Sequence, residues 1–69
     1  MEPLVEKVRT VLTELLEEQG RKTSSIPAMS EAGLMGLALL KAWEDPVSPT
    51  ALKLQKAVKD VLREDWDGV

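Results

Sequence analysis

Residues 30–44 read SEAGLMGLALLKAWE, and this segment decides how the rest of the chain folds. Between positions 32 and 40 it carries no charged or hydrogen-bonding side chain. Ser30 is a suitable N-cap and Glu31 complements the positive end of a helix dipole, so the segment predicts a helix. Because so little of this helix is polar, we expect it to be central in the fold and covered on more than one side.

Small and large apolar residues share one face of this helix on a helical wheel: Ala32, Gly33, Gly36, Leu39, Leu40 and Trp43. Gly36 lets another backbone approach closely, which offsets the roughly 1 kcal/mol that a mid-helix glycine costs relative to alanine. We therefore predict that this face packs within the chain. The remaining side, which includes Leu34, Leu37 and Ala38, then needs a second cover.

An amphipathic helix is predicted before this segment, over about residues 3–19. Pro3 suits the first turn of a helix, and Gly20 supplies the left-handed residue that ends many helices. The apolar residues between them recur at spacings of three and four and predict one buried stripe: Leu4, Val5, Val8, Val11, Leu12, Leu15 and Leu16. Residues 20–29 have the composition of a loop, from which Ile26 is expected to tuck against the helices.

A third helix is predicted over about residues 49–65. Pro46 disfavours helical backbone at Asp45, and Ser48 as N-cap followed by Pro49 at the first helical position starts a new helix. Its apolar stripe reads Ala51, Leu54, Val58, Val61 and Leu62. The break around Pro46 therefore separates two helices that are close in sequence.

Chain length and composition predict a fold that is completed by association. The 69 residues predict one all-α domain over residues 1–69, a three-helix bundle-like fold with the 30–44 helix at its centre. A domain of this length buries only about 60% of its unfolded surface. The chain has no Cys and no His, so disulfides and the usual zinc sites are excluded as stabilising elements. We therefore predict a homo-oligomer, with a dimer favoured.

Composition also favours some classes of function over others. Without Cys, His or Tyr, few side chains are left to act as nucleophile or general base, so we predict a non-catalytic protein without cofactor or metal. No apolar segment reaches the roughly 20 residues that span a bilayer, and no signal-peptide pattern opens the chain, so we expect a cytoplasmic protein without membrane contact. The net charge of −3 opposes general attraction to nucleic acid. The predicted function is a small acidic protein-interaction or assembly module.

The candidate interface with a protein partner consists of apolar residues outside the predicted core: Leu34, Leu37, Ala38, Leu52 and Trp66. The third helix leaves an alternative open, because its basic residues lie opposite its apolar stripe: Lys53, Lys56, Lys59 and Arg63. With the short turn that precedes it, this helix has the outline of a helix-turn-helix, and the alternative function is a DNA-binding regulator. Asp60 interrupts the basic arc and the chain is acidic, so nucleic-acid binding is the less favoured function.

Overall fold

The computed structural model describes residues 3–44 and 47–66, and it describes residues 64–66 by their backbone alone. Regular secondary structure in the described chain consists of three α-helices: α1 (Pro3–Glu18), α2 (Glu31–Glu44) and α3 (Pro49–Trp66). The predicted all-α architecture of three packed helices is confirmed. The break predicted around Pro46 and the side chain of Trp66 lie outside the described residues.

The pair of α1 and α3 makes the most extensive contact between helices. α1 buries one side, which consists of Val5, Val8, Val11, Leu12, Leu15 and Leu16. α3 buries the facing side chains of Ala51, Leu54, Ala57, Val58 and Val61. Each helix has a continuous apolar stripe, and packing one stripe on the other removes both from water at about 25 cal/mol per Å² buried. This pair therefore forms the main part of the core.

Side-chain caps begin α2 and α3. The Ser30 hydroxyl oxygen accepts a hydrogen bond from the backbone N–H of Gly33 at 3.2 Å. The Ser48 hydroxyl oxygen accepts one from the N–H of Ala51 at 3.3 Å. Both bonds satisfy a first-turn N–H that has no partner within its helix, which is why serine starts helices at these two positions.

Gly20 ends α1. Its φ of 73° lies in the left-handed region that side chains with a Cβ rarely adopt. The N–H of Gly20 donates to the carbonyl of Glu17 at 3.0 Å, and the N–H of Arg21 donates to the carbonyl of Leu16 at 2.9 Å. This pair of bonds is the Schellman motif, which satisfies the last carbonyls of a helix and turns the chain out of it.

The loop between α1 and α2 is held against α1 by a buried side chain and by a guanidinium group. Ile26 is 1% exposed. Nη1 of Arg9 donates to the carbonyl of Ile26 at 2.6 Å and to that of Met29 at 3.2 Å, while its Nε donates to Glu6 at 2.9 Å. Charge-assisted bonds of this kind are stronger than neutral ones. Arg9 therefore positions the residues that lead into α2.

α2 is not the central helix, which corrects the expectation drawn from its composition. Its fully buried residues, Leu34, Ala38 and Ala42, lie on one side of the helix. It packs mainly on α3 and less on α1, and its other side faces water. The two alanines let the α2 backbone approach its neighbours closely, and Leu34 fills the space between the helices. The two neighbouring helices, α1 and α3, therefore cover only one side of α2.

Candidate functional site

A continuous apolar surface lies on the outer side of α2. Among the described residues, Leu39 is 41% exposed, Leu40 61% and Trp43 44%. Three small residues on the same side of the helix, Ala32, Gly33 and Gly36, are exposed as well. We call these six residues the outer face of α2. None of their side chains is charged or polar apart from the indole N–H.

The side chains of the outer face differ in size between the two ends of the helix. Its residues follow one another at helical spacing over about 16 Å, given a rise of 1.5 Å per residue. The half near the start of α2 carries only Ala32, Gly33 and Gly36, whereas the half near the end carries Leu39, Leu40 and Trp43. We call the half with the three small residues the shallow half, and the half with the three large side chains, which project further from the helix, the raised half.

Gly36 has no role in packing within the described chain. A Cβ built at this position would meet nothing within 4 Å. A Cβ at Gly33 would meet Met29 and Ser30, each at 3.4 Å, which is ordinary van der Waals contact. A glycine within a helix lowers helix stability by about 1 kcal/mol relative to alanine. At Gly36 no neighbouring group in the described chain would clash with a Cβ, so packing within this part of the chain does not require a glycine there.

The prediction of which side of α2 is buried within the chain is wrong. Leu34 and Ala38, predicted to meet a partner, are 0% exposed, and Leu37 packs partly buried against the same core. The face predicted to pack inside is the one in water. The helix is apolar almost all round, so its pattern did not distinguish the two sides. Of the other two predicted interface residues, Leu52 is 50% exposed on α3, and the side chain of Trp66 is not described.

α3 borders the outer face of α2 at the Trp43 end. The Nζ of Lys59 lies 6.0 Å from the centre of the Trp43 ring, at the outer limit of a cation–π contact. One turn earlier in α3, the side-chain amide of Gln55 donates to the carbonyl of Ala42 at 2.8 Å. This bond sets the register of α3 against the last turn of α2. A positive charge therefore stands beside the raised half of the outer face.

The basic residues considered for nucleic-acid contact are exposed on α3: Lys53, Lys56, Lys59 and Arg63. Lys53 is 3.9 Å from the carboxylate of Glu14 on α1. In the first turn of α3, the Thr50 hydroxyl donates to Glu18 at 2.7 Å and is almost buried. A recognition helix presents its first residues to base edges, whereas the start of α3 is joined to the end of α1. This arrangement supports DNA docking less than contact through the outer face of α2.

Two further kinds of site were sought in the part of the chain that the structure describes. None of its helices is both long enough and apolar enough to cross a membrane. No group of three or more acidic side chains in this part is arranged to hold a metal ion.

Comparison with known proteins finds no match: no family model, no curated protein and no solved structure matches this chain. Its function is therefore inferred from the outer face of α2 and the groups that surround it.

Proposed function

We propose that this protein is a non-catalytic protein-binding module whose contact surface is the outer face of α2. The observation that carries the proposal is the exposure of Leu39, Leu40 and Trp43 on one uncharged side of a helix. Burying a leucine or another large apolar side chain contributes about 1.5–3 kcal/mol, and contiguous apolar patches on soluble proteins mark interaction sites. Tryptophan is also among the residues most enriched at the energetic centres of interfaces.

The chemistry of this face favours a protein as partner. A surface without cations cannot replace the counterions of a phosphate backbone, and the net charge of −3 works against such contact. The face also has no titratable side chain, and the chain has no Cys, His or Tyr, so this surface offers no group for acid–base or nucleophilic chemistry. An apolar helix of another chain, packed along α2, would bury this face without needing a charged or hydrogen-bonding side chain from it.

Photo-crosslinking tests the proposal. Benzophenylalanine is introduced at position 40, in the middle of the outer face, or at position 10 as a control. Thr10 is exposed on α1 and lies outside the outer face. After irradiation of cells of the source organism, we expect the probe at position 40 to yield a protein–protein adduct at least about tenfold more abundant than the probe at position 10. Equal yields at the two positions would show that the proposal is wrong.

A further inference from the structure

The shape of the outer face of α2 indicates which protein fits it. Given the proposed function, on which this step rests, we infer that the partner is a second copy of the chain. The two outer faces pack on each other with their α2 helices antiparallel. The interface is isologous, so every contact occurs twice about a two-fold axis near the middle of α2.

Antiparallel pairing matches the raised half of one face with the shallow half of the other. Leu40 of one copy then lies opposite Gly36 of the second, and Trp43 lies opposite Gly33. Two of the three large side chains, Leu40 and Trp43, each meet a glycine, and both matches are repeated by the symmetry. Parallel pairing would instead set Trp43 against Trp43 and leave the glycines facing each other across a gap. A partner with a different sequence would have to supply this complementary pattern, whereas a second copy already has it.

Gly36 gives independent support for a close contact between helices. A glycine inside a helix lowers helix stability relative to alanine, and among the described residues no group lies within 4 Å of the missing Cβ to require a glycine there. In the antiparallel pair the missing side chain leaves room for Leu40 of the second copy. Small residues have this role wherever two helix backbones approach closely.

The charges of α2 lie beside the outer face and not on it. Glu31, at the first position of α2, is on the side of the helix that carries Leu34 and Ala38. Near the end of α2, Glu44 is paired with Lys41 at 3.3 Å. The opposed helix dipoles are favourable in the antiparallel pair. The repulsion between two acidic chains is not concentrated at the contact, because the face itself carries no charge.

The size of the face predicts a weak dimer. α2 has 14 residues and is therefore about 21 Å long. A helix face of this length is smaller than the roughly 800 Å² per partner of a standard stable interface. We expect a dissociation constant on the order of 100 µM, at the weak end of specific association.

Sedimentation equilibrium of the full chain, from about 5 µM to about 1 mM, tests for this dimer. Leu40→Glu is expected to weaken dimerisation at least thirtyfold, whereas Leu52→Glu, the same change at a half-exposed leucine of α3, is expected to change it less than about threefold. Gly36→Ala is expected to stabilise the monomer against heat and yet weaken the dimer about tenfold. A wild-type chain that stays monomeric at the highest concentration overturns the inference, as does a Gly36→Ala chain that dimerises as well as wild type.

Disulfide trapping tests the orientation of the helices, since the chain has no cysteine of its own. In an oxidised mixture of Gly36→Cys and Leu40→Cys chains of different mass, we expect the mixed disulfide to exceed both same-position disulfides. An excess of same-position disulfides, or no disulfide, overturns the antiparallel pair. The two proposals remain separable: adducts from position 40 that contain only other proteins would refute the dimer and leave the proposed function standing. No adduct would refute both.

Discussion

Replacing Leu34 by alanine is expected to lower the free energy of unfolding by about 3 kcal/mol, whereas the same change at Leu40 is expected to alter it by less than about 0.5 kcal/mol. Both residues lie on α2, but Leu34 is 0% exposed and Leu40 is 61% exposed. Leu34→Ala loses the transfer free energy of the removed carbons and leaves a cavity in the hydrophobic core. Leu40→Ala removes atoms that are already largely in water.

The size of this effect matters for the choice of variants. A 69-residue chain at about 0.05–0.15 kcal/mol per residue has a total stability of roughly 3–10 kcal/mol. Leu34→Ala therefore removes a large part of it and can leave the chain unfolded. Leu34→Val, which is one methylene smaller, is expected to lose about 1 kcal/mol and gives a second point on the same scale.

Urea titrations followed by far-UV circular dichroism measure these differences, with the chain at about 5 µM so that the monomer is compared with the monomer. Coincident transitions by circular dichroism and tryptophan fluorescence check that unfolding is two-state. The assignment of the α2 faces is refuted if Leu40→Ala costs as much as Leu34→Ala. It is equally refuted if Leu34→Ala costs less than about 1 kcal/mol, because α2 would then not bury this side.

The loop, the glycines and the basic side of α3 allow separate tests. Arg9→Met is expected to lower the free energy of unfolding by about 2 kcal/mol in urea, and Arg9→Lys by less, since a cation remains to bond one loop carbonyl. Gly20→Ala is expected to cost about 1 kcal/mol because its φ is 73°. Gly36→Ala is expected to raise monomer stability by up to about 1 kcal/mol in the same assay. No gel shift of duplex DNA is expected at low salt; a shift abolished by Lys56→Glu would favour the DNA-binding alternative.

Polar contacts between distant parts of the chain could not be predicted from local pattern. Arg9 lies among the polar residues of α1 and resembles any solvent-facing arginine, yet it binds carbonyls of the loop. Thr50 donates to Glu18 from the start of α3, a contact that no spacing rule indicates. Such bonds form only after the helices have packed, so they depend on positions in space and not on neighbours in the sequence.

The outer face of α2 was predicted in part. The helical wheel correctly placed its six residues on one side, including Gly36, Leu40 and Trp43. It did not determine the direction in which that side points. Hydrophobic periodicity orients a helix when one side is apolar and the other polar, as in α1, but the opposite side of α2 has Leu34 and Ala38 and is also largely apolar.

The sequence by itself determined the three helices, because the signals that create them are local. Serine caps at Ser30 and Ser48, the left-handed Gly20 and the recurring apolar stripes of α1 and α3 act within a few residues of one another. Only the tertiary structure decided which side of α2 is buried. Either side of α2 would remove apolar surface from water, so the choice depends on which volumes fit the groove between α1 and α3. The side with Leu34 packs there and leaves the outer face of α2 for another chain.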